Sequence, residues 1–251
     1  MEKMKIEAYD VMELCLLAGK LMLQNGAETY RVEDTMERIA GHYGLSGAHS
    51  YVTPTGIIFS LDGVIPAKLI RIAKRETDLA KVTAANSISR KITNGELTIE
   101  GAARELWELE KSNLTYPLAI QILAAAISSG CFVIMFMGGW IDFLPAVLCG
   151  ALGYICFLYI HKLVEVKFFA EFLAAFVIGL AAFSLKAAGA GHEADKIIIG
   201  SVMPLVPGLL ITNAVRDLMS GHLVSGLSKG AEAFLTASAI GTGIAVVFSI
   251  F

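Results

Sequence analysis

Five long apolar runs in the second half of the chain limit its possible folds more than any other feature. A helix that crosses a hydrocarbon core of about 30 Å needs about 20 mostly apolar residues, and each run is close to that length. The runs cover residues 117–137, 143–161, 168–188, 197–215 and 231–251. Because backbone polar groups in lipid must be paired within the protein, the sequence predicts an α-helical polytopic membrane protein with about five transmembrane helices.

The charged side chains are concentrated in the first half of the chain. Residues 1–116 hold 30 of the 43 charged side chains, and the composition changes at Tyr116-Pro117. The whole chain is only 17% charged, against about 25% in a typical soluble domain. We therefore predict two domains, a polar domain over residues 1–116 and a transmembrane domain over residues 117–251.

The polar half alternates between two hydrophobic periodicities. A period of 3.6 residues predicts helices, and short β-branched runs bounded by proline, glycine or aspartate predict strands. Helices are predicted over 6–24, 28–43, 76–93 and 98–111, and strands over 49–53, 56–61 and 65–72, with turns at Pro54 and Asp62-Gly63. This half is therefore predicted to be an α+β domain.

The positive charges of the connecting segments predict the orientation in the membrane. If the polar half is cytosolic, most basic residues next to the spans fall on the inner side, as the positive-inside rule requires. Those residues are Lys111, Lys162, Lys167, Arg216 and Lys229, whereas Lys186 and Lys196 fall outside. Five spans then place the N-terminus inside and the C-terminus outside.

The fourth apolar run contains Pro204, Pro207 and Gly208 within five residues, which no unbroken helical hydrogen-bond ladder tolerates. Broken backbone at membrane depth occurs where protein or a water-filled cavity covers it, and transporters use such breaks to build binding sites. A plain proline kink is the alternative interpretation.

Polar residues follow this break. Asn213, Arg216 and Asp217 share one helix face by their spacing, and Glu232 opens the fifth run. Ionisable groups within a span are costly and usually face a partner or a water path. Arg216 is predicted to bind a solute carboxylate, Asp217 or Glu232 to carry a proton, and Asn213 to orient the solute. A solvated Arg216-Asp217 pair at the membrane interface is the alternative.

Two polar motifs in the first half have sufficient structural explanations. Glu28, Arg31 and Glu33 lie in the first turns of a predicted helix, where acidic groups suit the positive end of the helix dipole. Pro54-Thr55-Gly56 reads as a turn between two strands.

The net charge of −3 gives no general basic surface for nucleic acid. The histidines and cysteines have no metal-ligand spacing, and neither a metal nor a cofactor is predicted.

At these residues the chain resembles the bacterial threonine/serine exporter family, in particular the N-terminal half of its members. The resemblance rests on motifs that occur in order along almost the whole chain. They are Gly26-Ala27-Glu28-Thr29 with Arg31-Val32-Glu33, Pro54-Thr55-Gly56-Ile57, Arg75 with Asp78-Leu79, Pro204-Leu205-Val206-Pro207-Gly208, Asn213-Ala214-Val215-Arg216-Asp217-Leu218, Ser220-Gly221, Ser225-Gly226 and Glu232-Ala233.

The resemblance implies a secondary transporter in the bacterial inner membrane that exports threonine and serine or a dicarboxylate such as succinate, driven by protons. Full-length members carry a second membrane half, which this chain lacks. The chain therefore resembles the larger subunit of the split, two-component form. Its implied partner is a second small membrane protein of about four to five spans, with a homo-oligomer as the alternative.

Two other function classes remain open from the sequence. One is a membrane-anchored hydrolase, and the other is a regulatory or scaffold subunit of a channel. The exporter hypothesis predicts that Asp217→Asn abolishes proton-coupled export while assembly is preserved.

Overall fold

The computed structural model describes residues 2–45, 47–62, 65–164 and 166–251, with side chains from Ala8 onward. Its helices are α1 (Glu2–Gln24), α2 (Thr29–His42), α3 (Leu79–Thr93), α4 (Ile99–Lys111), α5 (Leu118–Met135), α6 (Trp140–Val164), α7 (Lys167–Ala187), α8 (Ala194–Val202), α9 (Gly208–Met219) and α10 (Leu223–Phe248). A 3-10 turn covers Met203–Leu205, and the strands are β1 (Ala48–Thr53), β2 (Gly56–Leu61) and β3 (Ile65–Arg71).

The chain divides into two compact units. The first unit contains Met1–Thr115 and Ile211–Gly230, and the second contains Tyr116–Leu210 and Ala231–Phe251. Helices α9 and α10 each contribute residues to both units. Residues 211–230, which were predicted as part of the membrane domain, are therefore grouped with the polar half.

Helix α1 supplies the centre of the core of the first unit. Its predicted apolar face is buried at Val11, Leu14, Leu17 and Leu21, whereas the side chain of Ile6 lies outside the described ones. Gly19 lets α2 approach closely, because a Cβ there would overlap the Met36 side chain. The helix packs against α2, α3, α4 and the sheet.

The three strands form an antiparallel sheet in the order β1-β2-β3. A two-residue turn at Pro54-Thr55 joins β1 to β2, with Thr53 paired to Gly56. Alternate residues of β2 are buried, namely Ile57, Phe59 and Leu61, because one face of the sheet packs on the core. Gly63 of the second predicted turn lies outside the described residues.

Capping residues set the boundaries of the next two helices. Helix α3 begins at Leu79 rather than at the predicted residue 76, because the side chain of Asp78 accepts the Lys81 N–H at 3.1 Å and caps the helix. Thr98 caps α4 as predicted, accepting the Gly101 N–H at 3.2 Å.

Small residues let the helices of the second unit pack closely. A Cβ at Gly153 would overlap the Ile178 side chain, and one at Gly130 would lie 2.8 Å from Phe143 and Val147. Such contacts are typical of helices that associate in lipid, where close packing replaces the hydrophobic driving force.

By length and hydropathy, four of the described helices qualify as membrane spans, namely α5, α6, α7 and α10. The pair formed by Ala194–Leu205 and Gly208–Met219 qualifies as a fifth span only when it is counted as one bent element. The predicted break lies at Val206, which is extended (φ −64°, ψ 130°) between the 3-10 turn and α9. Helix α10 corrects the predicted fifth run: it begins at Leu223 rather than at residue 231, and it therefore includes Lys229.

Candidate functional site

Two segments almost 190 residues apart in sequence meet within the first unit. One is the turn at Gly26 with the N-terminus of α2, and the other is the polar face of α9. Gly26 has φ +93°, a left-handed conformation that suits glycine, and it turns the chain from α1 into α2. We call this set the α2–α9 site and define it as Gly26, Glu28, Thr29, Asn213, Arg216, Asp217 and Lys229.

Asp217 is fully buried and accepts three hydrogen bonds. Its Oδ1 accepts the backbone N–H of Thr29 at 3.0 Å, and its Oδ2 accepts the Thr29 hydroxyl at 2.8 Å and the Lys229 ammonium at 2.7 Å. Thr29 is the first residue of α2, so Asp217 supplies a partner for a helix N–H that has none within the helix. The negative charge also lies at the positive end of the helix dipole.

Lys229 is the cation that pairs with Asp217, and its side chain is only 5% exposed. Its Nζ lies 2.7 Å from Asp217 and 3.3 Å from the Thr29 hydroxyl. From the sequence, Lys229 is predicted only as an inner-side charge between two apolar runs. Lys229 directly precedes the fifth apolar run and lies within the same helix. This position could have indicated a buried ion pair from the sequence, because charges within a span are usually paired.

Arg216 pairs with Glu28 rather than with the neighbouring Asp217. Its guanidinium Nη1 lies 2.5 Å from Glu28 Oε1, while Arg31 Nε lies 3.0 Å from Glu28 Oε2. The Arg216 side chain is 53% exposed, whereas that of Glu28 is only 11% exposed. The alternative interpretation, a solvated pair of Arg216 and Asp217, is therefore wrong. Asp217 is buried, and Arg216 pairs with Glu28 instead.

The charges around Glu28 lower its pKa. Burial by itself raises the pKa, but hydrogen bonds from the backbone N–H of Glu28 and from Arg216, together with the charges of Arg31 and Arg216, outweigh burial. Glu28 therefore stabilises the fold when it is ionised. This contribution is present above the ordinary carboxyl pKa and is lost as the pH falls through the lowered value.

Asn213 holds the turn that precedes Glu28. Its side-chain amide donates to the Gly26 carbonyl at 2.9 Å. The i,i+3 and i,i+4 spacing of Asn213, Arg216 and Asp217 thus directs all three side chains to one segment, residues 26–29.

Glu33 lies one turn after Thr29 on α2 and therefore on the same face of the helix. Its Oε1 accepts the Val52 N–H at 2.9 Å, and its Oε2 lies 3.6 Å from His222 Nδ1. Burial raises the pKa of Glu33, and the Val52 N–H and His222 only partly offset this effect. Ser225 donates to the Val52 carbonyl at 3.1 Å. Glu33 therefore ties β1 to α2 beside the segment that joins α9 and α10.

The remaining predicted residues are distributed between the units. Pro54 and Thr55 form the β1–β2 turn, with the Thr55 carbonyl accepting the Ile72 N–H at 2.9 Å. The second unit contains Pro204, Pro207, Gly208 and Glu232. The Oε1 atom of Glu232 lies 3.5 Å from Lys167 Nζ. Among the described residues, no group of three histidine, cysteine or acidic side chains is placed to hold a metal ion.

Comparison with known proteins points to one family. Residues 13–251 match the sequence model of the ThrE family, which is described as "Putative threonine/serine exporter". The chain is 25% identical over 255 residues to "Probable succinate transporter subunit YjjP" of Klebsiella aerogenes, an alignment that covers 99% of this chain and 97% of that protein. No solved structure matches the chain.

Longer relatives match over only part of their length. The "Threonine/serine exporter" of Corynebacterium glutamicum is 25% identical over 243 residues, which cover 93% of this chain and 50% of that protein. The "Pheromone-regulated membrane protein 10" of Debaryomyces hansenii is 24% identical over 250 residues, which cover 96% of this chain and 24% of that protein. The bacterial relatives are named as transporters and exporters, not as enzymes.

Proposed function

Since the chain belongs to the threonine/serine exporter family, we propose that this multi-pass membrane protein is a subunit of a proton-coupled secondary transporter. Its solute would be small and carboxylate-bearing. Threonine, serine and succinate, the solutes in the relatives' names, share a carboxylate, so a carboxylate is the recognition element that all of these solutes offer.

The observation that carries this proposal is the pair formed by Arg216 and Glu28. Nη1 of the guanidinium lies 2.5 Å from a carboxylate oxygen, yet half of the Arg216 side chain remains exposed. Arginine binds carboxylates through a planar fork of donors, and a solute carboxylate has the same geometry as the Glu28 side chain. Solute binding would therefore replace or share the contact between Arg216 and Glu28, with the Asn213 amide nearby to orient the solute.

Asp217 or Glu232 is the proposed proton carrier of this pathway. A proton on Asp217 would weaken its attraction for Lys229 and for the N-terminus of α2. The α2–α9 site would then loosen as the proton binds. Such a change would couple protonation to the movement of α9, the helix that follows the break at Pro204, Pro207 and Gly208.

A second membrane subunit would complete the pathway. This chain corresponds to almost all of a relative named as a subunit but to only half of a relative named as an exporter. We propose a partner of about four to five spans, in the bacterial inner membrane, with residues 1–116 of this chain in the cytoplasm. A homo-oligomer would meet the same requirement if the chain transports alone.

The test is transport into inverted membrane vesicles that contain this chain together with a candidate partner subunit. An imposed proton gradient should drive the uptake of labelled succinate or threonine, and Arg216→Lys should raise the KM because lysine lacks the fork. Lys186→Arg, a charge-preserving change at an exposed lysine, is the matched control. Uptake in Arg216→Lys that equals wild type at all solute concentrations would overturn the assignment of Arg216.

A further inference from the structure

Glu171 is a buried acid that the α2–α9 site does not use. It lies on α7, in a candidate membrane span, and it is 3% exposed. Its Oε2 has no hydrogen-bond partner among the described residues. The Thr236 hydroxyl of α10 interacts with the Glu171 carboxylate without a well-formed hydrogen bond. An ionised carboxylate in this position would be poorly compensated.

Two carboxylates share one cation at this point. Lys167 Nζ lies 3.8 Å from Glu171 Oε1 and 3.5 Å from Glu232 Oε1. Lys167 and Glu171 are four residues apart on α7, and Glu232 and Thr236 are four residues apart on α10, so each helix presents one polar face. The two helices meet directly, because a Cβ at Gly243 of α10 would lie 3.2 Å from the Ala175 Cβ of α7.

The Glu171 carboxylate is poorly compensated when it is ionised. Its Oε1 lies 3.8 Å from an ammonium that also pairs with Glu232, and its Oε2 has no hydrogen-bond partner among the described residues. Charge in a membrane span is costly, and protonation of Glu171 would remove this cost. A metal cation fits less well, because the Lys167 ammonium already occupies the position between the carboxylates and would repel it.

We propose that Glu171, together with Lys167 and Glu232, forms a site that binds and releases one proton within the second unit. Glu171 is the group that takes up the proton, because it is more buried than Glu232 and lies farther from the shared ammonium. The role of this site as the driving-ion site of the transporter rests on the proposed function. Its protonation can be tested without any solute.

The test is modification by dicyclohexylcarbodiimide, which reacts with protonated carboxyl groups in apolar surroundings. The full-length protein in detergent would be labelled at a series of pH values, and peptide mass spectrometry would locate the adduct. We expect labelling at Glu171 that increases as the pH falls and that disappears in Glu171→Gln. Lys167→Met should shift the labelling curve to higher pH, because the cation that favours the ionised carboxylates is removed.

Glu193→Gln is the matched control. Glu193, the residue just before α8, also pairs with a lysine, since its Oε2 lies 2.8 Å from Lys196 Nζ, but its side chain is 45% exposed. This change should leave the labelling of Glu171 unaltered. Absence of label at Glu171 at every pH, or a labelling curve that does not move in Lys167→Met, would overturn the proposal.

Transport assays distinguish the role of Glu171 from the proposed function of the protein as a transporter subunit. Glu171→Gln should retain solute exchange between the two sides of a vesicle while uptake loses its dependence on the proton gradient. If no solute is transported by the wild-type protein but the labelling behaves as expected, the protonation site stands and the proposed function fails. If Glu171→Gln transports with wild-type proton dependence, the role of Glu171 fails and the proposed function stands.

Discussion

Asp217 and Lys229 form an ion pair whose stability depends on complete pairing. Both side chains are almost fully buried, and the Thr29 backbone and hydroxyl supply the remaining partners of the aspartate. Removing two charges from water costs several kcal/mol per ion, and the attraction between them repays that cost only when the geometry is good. The loss of one partner should therefore be far more harmful than the loss of both.

We predict that Lys229→Met lowers the free energy of unfolding by about 3–5 kcal/mol, because Asp217 is left buried without a counter-charge. The double change Asp217→Asn with Lys229→Met should recover much of that loss. Thermal unfolding of the protein in detergent measures both. Lys186→Met, at an exposed lysine, is the control and should change the stability little.

An equal loss in the double variant and in Lys229→Met would contradict this account. The same pair changes the meaning of Asp217→Asn, which was predicted to abolish coupling while preserving assembly. Because that single change leaves Lys229 buried without its carboxylate, transport and assembly must both be measured, and the double variant separates their contributions.

Among the elements, α9 and α10 are joined by a tight turn that brings them into contact within the first unit. Gly221 has φ +84° in this turn, and Gly226 of α10 packs against Leu218 of α9. A Cβ at Gly226 would lie 2.6 Å from the Leu218 Cγ and 2.9 Å from the Leu218 backbone nitrogen. A backbone atom cannot move away as a flexible side chain can, so residue 226 has little room for any side chain.

We predict that Gly226→Ala lowers the free energy of unfolding by about 1–3 kcal/mol, as overpacking typically does. Gly230→Ala is the matched control one turn along the same helix, where the nearest atom to a new Cβ is the Ala214 Cβ at 4.0 Å. The control should be neutral or gain about 0.5–1 kcal/mol, because alanine restricts the unfolded chain. Thermal unfolding in detergent compares the two, and equal stabilities would contradict the predicted close contact.

For the whole molecule, the number of membrane crossings depends on the broken pair of helices. Four described helices qualify as spans on their own, and the pair around Val206 makes a fifth only if it crosses as one element. An odd number of crossings places the two termini on opposite sides of the membrane, and an even number places them on the same side. The break therefore decides the topology of the chain.

We predict five crossings, with the N-terminus inside and the C-terminus outside, because most basic residues beside the spans then lie on the inner side. A fluorescent protein fused before residue 1 should fluoresce in cells. Alkaline phosphatase fused after Phe251 should be active, since it requires the outer compartment. The same fusion after His192, in the segment between α7 and α8, should also be active and serves as the control. Inactive phosphatase at Phe251 with active phosphatase at His192 would show an even number of crossings.

Local patterns predicted most of the elements correctly. The three strands, the Pro54-Thr55 turn and the cap at Thr98 were each predicted from a few adjacent residues. The apolar runs and the break at Pro204 and Pro207 were also visible in the sequence, because hydropathy and the missing N–H of proline act over short distances. The predicted start of α3 at residue 76 is wrong, because the helix begins only after Asp78, whose side chain caps it.

The partners of the polar residues depend on tertiary structure. It follows from the sequence that Asn213, Arg216 and Asp217 share a helix face, that charges in an apolar run need partners, and that the chain resembles one transporter family. The identity of each partner follows from the folded structure: Asp217 binds Thr29, 188 residues away, and Lys229, while Arg216 pairs with Glu28. A buried charge requires a partner, but it places no limit on how far away in sequence that partner lies.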